Sequence, residues 1–425
     1  MRLMVLGGSS NQVDLIKKAK QQGDTVILVD YLSDCAGKEY ADIHLLISTF
    51  DIEGIEKAAL EYDVRGIVTA GTDQPILSAA SASEKLGFNF YCDKKTAKAV
   101  TNKRVMKKIF KANDIPSAEY RLIGRDFIDE ELESIKFPVV IKPVDAQGQR
   151  GVYKLNSIAE IREKIEDTLS YSSEDKALVE EYFLNDEITV NGWVEDGKTT
   201  ILSVVDRVTF EKNKHIGICL CHNFPSVHLT AHRIEIEEMT ERIVEAFDIK
   251  NGPIYFQYLI GKKRMIVNEI AMRIGGAYEG LTLPMIADVD ILKMVLEFAK
   301  YGKVDTTALE KYDHFKNKIY LSTQLFFCRP GKVSSMTPKE ELKNLPYLKT
   351  VYYEYSEGDE IHKIENATAR AGYFIAEGNS FENMVDNVNS VFEKMEILDY
   401  NGTNLVVKYK EYMGKYKIAK VCSPI

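Results

Sequence analysis

At 425 residues the chain is too long for one ordinary hydrophobic core, so two or three packed domains are expected. With 45% hydrophobic and 28% charged residues it reads as globular, unlike a disordered or membrane-spanning composition, so no membrane partner is expected. The 55 basic and 64 acidic side chains leave a net charge of −9, which supplies no positive field for phosphodiester backbones and argues against a nucleic-acid partner.

The opening MRLMVLG reads as a strand rather than a charged start followed by a signal-type apolar core, and Cys35, Cys92, Cys219, Cys221, Cys328 and Cys422 are scattered. Both features point to a reducing cytoplasm. Cys219, Cys221 and His222 lie close together, yet no second C-x-x-C or spaced histidine pair completes a tetrahedral metal set, so they read as small strand side chains in the run IGICLC.

Short apolar runs alternate with amphipathic stretches over the first hundred residues: 3–6, 11–22, 26–29, 51–62, 66–68 and 73–86. This pattern predicts a parallel sheet with crossover helices, a Rossmann-like α/β unit. The turn Gly7-Gly8-Ser9-Ser10 lacks the G-x-G-x-x-G spacing of a dinucleotide site, which argues against a nicotinamide dehydrogenase. A substrate role for Gly7-Gly8 and for Gly71-Thr72-Asp73-Gln74 is expected, because ligands gather at the carboxyl ends of parallel strands.

A helix with a basic face is expected over 94–113, and beyond Ile115-Pro116 the chain changes character. In 137–152, FPVVIKPVDAQGQRGV, a buried strand delivers Lys142 to a polar loop containing Gln147, Gly148, Gln149 and Gly151. Glycines there let the backbone close over phosphates, with the lysine supplying charge; a tight hairpin is the plain alternative. In 178–190, a strand breaks at Leu184-Asn185-Asp186, and Glu180, Glu181, Tyr182 and Phe183 offer an apolar slot with backbone groups at its edge. Glu187 is placed for ribose hydroxyls or, as the plain alternative, is a solvated strand carboxylate.

Residues 252–276 read as two strands joined at Gly261-Lys262-Lys263, with Gln257 and Glu269 facing across the ladder where their oxygens could hold magnesium. Arg273 follows before Gly275-Gly276, and its planar fork suits a transferring phosphoryl group. Further on, 319–327, 348–355 and 369–377 alternate as antiparallel strands, with a helix near 380–395. No internal repeat is evident.

The ordered series of motifs resembles the ATP-grasp superfamily, which includes carbamoyl phosphate synthase, biotin carboxylase, D-alanine ligase and several purine-pathway ligases. The resemblance implies three parts: a Rossmann-like pre-ATP-grasp domain over 1–100, an ATP-grasp domain over 101–305, and a C-terminal α+β domain with an antiparallel sheet over 306–425. It implies that Lys103 and Lys142 hold ATP phosphates, that the loop from Gln147 to Gly151 covers them, and that Glu180, Glu181, Tyr182 and Phe183 line the adenine. Glu187 would take the ribose. Gln257 and Glu269 would bind magnesium or manganese, and Arg273 would meet the γ-phosphate. Where the family often has an Asn metal ligand this chain has Ala271, and Gln257 replaces a frequent Glu, which leaves the metal count open.

The implied reaction is activation of a small-molecule carboxylate as an acyl phosphate, which an amine then attacks. Arg207, His215, Ser226, Gly71, Asp73 and Arg370 are the expected substrate contacts. The last hundred residues resemble the C-terminal domain of L-amino-acid ligases and carboxylases, favouring amino-acid amide formation. Alternatives are a bicarbonate-using purine-pathway or carbamoyl-phosphate-synthase-like enzyme and a non-catalytic ATP-binding module. By the same resemblance the chain would form a homodimer.

Overall fold

The computed structural model describes residues 1–212, 215–316 and 319–408, so Cys422 lies outside the described residues. Its first part is a four-stranded parallel sheet in the order Ile43–Leu45, Thr25–Val29, Arg2–Leu6 and Gly66–Val68. Both faces are covered, so each strand is apolar on both sides. Leu3 and Val5 join one core while Met4 and Leu6 join another. The expected helices form as Ser10–Gln21, Ile52–Glu61 and Gln74–Leu86. The short edge strand Ile43–Leu45 escaped the sequence reading, which makes Gly66–Val68 the fourth strand rather than the third. All loops of interest, 7–10, 30–32 and 69–73, leave the same edge of this sheet.

The single helix expected over 94–113 is two helices, Lys94–Thr101 and Lys103–Ala112. Asn102 adopts φ −119 and ψ 110 between them, and its side chain accepts the amide of Val105. An asparagine that caps a new helix competes with continuing the old one. The break sets Lys103 at the first turn of the second helix.

A twelve-stranded sheet follows, and its main path runs Met265–Ala271, Gly252–Ile260, Asp186–Glu195, Lys198–Lys212, His215–Phe224, Tyr153–Leu155, Val139–Pro143, Ala177–Glu181 and Tyr120–Ile123. The register between its larger and smaller halves consists of one pair, His215 opposite Tyr153. The sheet therefore behaves as two sheets meeting at a corner, with space between them. The larger half surrounds Trp193, which is 1% exposed.

Strand Tyr320–Phe327 extends this sheet by pairing with His215–Phe224, then with Arg370–Gly378, which pairs in turn with Leu348–Tyr353. These pairs are antiparallel, as expected, and helix Phe381–Lys394 packs Val388, Val391 and Phe392 into the core beneath them. The α/β and α+β organisation read from the sequence is thus present. Among the described residues no helix is long and apolar enough to cross a membrane.

Candidate active site

A cavity of about 1000 Å³ opens between the parallel sheet, the two halves of the large sheet and the C-terminal strands. At its deep end the strand Val139–Pro143 delivers Lys142, which is ion-paired to Glu180 on the neighbouring strand and lies 3.4 Å from Asn268 Oδ1. A second ammonium, Lys107, approaches the other Glu180 oxygen at 2.5 Å. Burial alone would raise the Glu180 pKa, but the two ammonium groups overcome it and hold the carboxyl at about 2. Lys107 moves the opposite way to the usual partner of a carboxylate: desolvation lowers its pKa, and Lys142 adds to that, because two cations share one anion. Lys107 was not singled out in the sequence; its place one turn after Lys103 on an amphipathic helix was the available signal.

Lys103 reaches across the base of the glycine loop. Its Nζ donates to the carbonyl of Ala146 at 2.8 Å and stands 3.5 Å from Glu269 Oε1. Gln257 and Glu269 are directly paired across their two strands, and Gln257 Oε1 accepts from Asn268 Nδ2 at 3.1 Å. Asn268, unremarked in the sequence reading, is therefore the third oxygen-bearing side chain at this spot. Ala271 is 3% exposed and supplies none.

The loop itself needs positive φ at Gly148 (71°), Gln149 (62°) and Gly151 (65°). Three parts of the molecule hold it. Gln147 Oε1 accepts the amides of Asp73 and Gln74 at 2.6 and 3.3 Å, Gly148 accepts the amide of Ala367 through its carbonyl at 3.1 Å, and Asp145 accepts the amide of Ser173 at 3.0 Å. The loop is thus held from the parallel-sheet end, from the C-terminal segment and from Ser173 beside the smaller half of the large sheet.

The strand break falls after Glu181, and the chain resumes as a strand at Asp186. The Tyr182 amide donates to Pro138, the Lys154 ammonium stands 3.7 Å from the Tyr182 ring centroid, and the Phe183 ring packs so closely on Gly261 that a side chain there would strike it. Glu181 uses one carboxylate oxygen on the Lys136 amide at 3.1 Å. Glu187 pairs with Arg207 at 2.8 Å through one oxygen, and Arg207 also donates to the Gly217 carbonyl at 3.0 Å. The remaining oxygen, Glu187 Oε1, is buried without a partner. Such an orphan acceptor on the cavity wall suits a hydroxyl donor.

At the other end, Arg273 Nε donates to Asp73 Oδ1 at 2.5 Å, and its guanidinium lies 4.7 Å from the Tyr255 ring centroid. The Asp73 carboxylate offsets the burial of the arginine and keeps it charged. The contact is possible because Gly276 lets the ribbon approach Gly71: a β-carbon there would sit 2.6 Å from the Gly71 carbonyl oxygen. Arg370 donates to the Gly276 carbonyl at 3.4 Å, while its Nε is buried without a partner.

Cys219 and Cys221, read from the sequence as equivalent strand side chains, part company. A register shift beside Leu220 turns Cys219 into the cavity wall and leaves Cys221 in the C-terminal core. His222 also reaches the cavity, where Glu279 Oε1 lies 3.2 Å from its Nδ1. Desolvation would lower the His222 pKa, but Cys219 and Glu279 raise it to about 9, so the imidazole is a cation at neutral pH. Among the described residues no group of three or more His, Cys, Asp or Glu side chains is set to hold a metal ion.

Two expected substrate contacts do not reach the cavity. Ser226 is 5% exposed and donates to Asp206 Oδ1 at 2.5 Å, because the chain folds back over strand Lys198–Lys212 directly after Phe224. His215 opens its strand at the corner of the sheet and packs its ring on Tyr153, 5.0 Å between centroids. Neither lies among the lining residues, whereas Arg207, Gly71, Asp73 and Arg370 do.

Sequence comparison matches the same segments that build this cavity. Residues 135–279 match the ATP-grasp domain, so the chain carries an ATP-grasp domain over that segment. Residues 324–397 match the L-amino acid ligase C-terminal domain 2. N5-carboxyaminoimidazole ribonucleotide synthase from Aquifex aeolicus is 29% identical over 182 residues, 41% of this chain and 46% of that protein. The match therefore spans less than half the length of that curated relative. Among solved structures, L-amino acid ligase from Bacillus licheniformis superposes with a TM-score of 0.81 at 16% identity, covering 94% of this chain and 99% of that one. The biotin carboxylase domain dimer of Hydrogenobacter thermophilus 2-oxoglutarate carboxylase, solved with MgADP and bicarbonate, gives 0.75 at 17% identity, covering 98% and 96%. At these identities the superpositions speak for the fold.

Proposed function

We propose that the chain is an ATP-dependent carboxylate–amine ligase that joins an amino acid or similar small carboxylate to an amine, releasing ADP and phosphate. The observation that carries this reading is the convergence of Lys103, Lys142, Glu269 and Arg273 on one cavity. In this reading the adenine lies by Glu180 to Phe183, a ribose hydroxyl meets the free oxygen of Glu187, and the loop Gln147–Gly151 closes over the phosphates held by Lys103 and Lys142.

The oxygen donors of Glu269, Gln257 and Asn268 fit a hard divalent cation, magnesium or manganese, whose other ligands would be phosphate oxygens. When bound, the ion supplies charge neutralisation at those oxygens. The substrate carboxylate, drawn by Arg273, His222 and Arg207, attacks the γ-phosphorus, and the bond to the ADP oxygen breaks. The amine then adds to the acyl phosphate carbonyl and phosphate leaves, with the amine proton passing to solvent or phosphate. Positioning and charge stabilisation account for the chemistry, as in other phosphoryl transfers.

The three-part division at 1–100, 101–305 and 306–425 and a homodimeric assembly belong to the same proposal, the first boundary supported by the separate four-stranded sheet of the N-terminal part. The test is ADP and phosphate release by the purified chain with pairs of amino acids, set against bicarbonate plus aminoimidazole ribonucleotide. Release with an amino-acid pair is the expected result; release only with the ribonucleotide would replace it by the carboxylating reading.

A further inference from the structure

We propose that the N-terminal wall of the cavity selects an amine substrate that carries a carboxylate and a large apolar side chain and bears no phosphate, that is, an aromatic or branched apolar amino acid. The inference rests on the ligase reading above. Residues 7–12, 30–32, 35–36, 49–50 and 71–75 line this wall, and none of them is lysine, arginine or histidine. A phosphomonoester carries nearly two charges at neutral pH and needs cations or free backbone amides to leave water.

Two helices start on this wall; the amides of Asp73 and Gln74 already donate to Gln147, so the start of helix Ser10–Gln21 is where free backbone amides could hold such a group. An anion from the protein already stands there. The Ser10 hydroxyl donates to Glu354 Oε1 at 2.5 Å, bringing a carboxylate from the C-terminal strands to the first turn of the helix. A phosphate would meet like charge at that position.

The same wall leaves three large apolar side chains open: Tyr31, Leu32 and Phe50 are 67%, 47% and 68% exposed. Hydrogen bonds of their neighbours fix the backbone that carries them. Asp30 spends both carboxylate oxygens on the amides of Gly8 and Leu32, which pins the loop that presents Tyr31 and Leu32. Thr49 is bonded to Gln74 through both its hydroxyl and its carbonyl, which fixes the backbone beside Phe50. An apolar side chain of a ligand would cover this surface, while the guanidinium of Arg370, which also lines the cavity, would take its carboxylate.

Calorimetric titration of the full chain, saturated with magnesium and a non-hydrolysable ATP analogue, tests this with L-phenylalanine, L-alanine and ribose 5-phosphate. Phenylalanine should bind about tenfold or more tighter than alanine, the discrimination typical of an apolar pocket. Phe50→Ala and Tyr31→Ala, with thermal unfolding as the control for folding, should erase most of that difference. Equal binding of the two amino acids, an unchanged preference in both variants, or tighter binding of ribose 5-phosphate would overturn the proposal. Failure of the ligase reading looks different: no ADP release with any amino-acid pair. Release with small amino acids and no preference for bulky ones would sink the pocket alone.

Discussion

Lys107 and Glu180 form an ion pair at 2.5 Å in which neither residue is more than 4% exposed. The pair sits behind Lys142 and gives its ammonium a fixed counter-charge. Removing the carboxylate leaves two ammonium groups without a counter-charge in a dry site, so Glu180→Gln should lower unfolding free energy by about 3–5 kcal/mol in urea denaturation. A loss below about 1 kcal/mol would mean that water reaches this ion pair.

The pH dependence follows from the same carboxylate. Its folded pKa of about 2 lies below the ordinary 4.5, so the stabilisation is fully present above pH 4.5 and is lost as pH falls from there towards 2. Its size is about 3 kcal/mol from the shift. Chemical denaturation between pH 6 and pH 3 should show this slope in the parent chain, and Glu180→Gln should flatten it.

Arg273 is positioned by Asp73 rather than by solvent. Arg273→Ala should reduce kcat by about 10²–10³-fold, the usual cost of losing one charge-stabilising donor, with nucleotide affinity changing far less. Arg273→Lys keeps the charge without the fork and should recover part of the rate. Turnover at the parent rate in the alanine variant would remove Arg273 from the chemistry.

His222 contributes a positive charge because Cys219 and Glu279 offset its desolvation and bring its pKa up to about 9. Deprotonation removes that charge, so KM for the carboxylate substrate should rise as pH passes through about 9. His222→Gln should show a raised and pH-independent KM over the same range.

Gly276 is a packing residue of the junction between the ribbon and the parallel sheet. A methyl group 2.6 Å from the Gly71 carbonyl oxygen must push the two apart. Gly276→Ala should cost about 1–3 kcal/mol in thermal or denaturant unfolding. It should also weaken the Arg273–Asp73 pair, seen as a loss of kcat larger than the loss of nucleotide binding.

Much of this was readable before any coordinates. The alternation of strands and helices, the lysine before the glycine loop, and the facing of Gln257 and Glu269 follow from local periodicity, and the register confirms the last of these. Lys107, Asn268 and Cys219 were not singled out for the site. A lysine on a helix face reads as solvated, and the direction of Cys219 depends on a register shift against Lys198–Lys212, which strand alternation does not reveal. His215 and Ser226 lie off the cavity wall for the reverse reason: closeness along the chain to the cavity strands did not carry them to it.

Sequence alone determined most strands and helices, short of the edge strand Ile43–Leu45 and the break at Asn102, and which polar residues interrupt apolar runs, because side-chain period and turn chemistry act over a few residues. The folded chain decided which charges meet. Asp73 and Arg273 are 200 positions apart and Ser10 and Glu354 are 344 apart, so their pairing depends on how the sheets pack, a property of the assembled core.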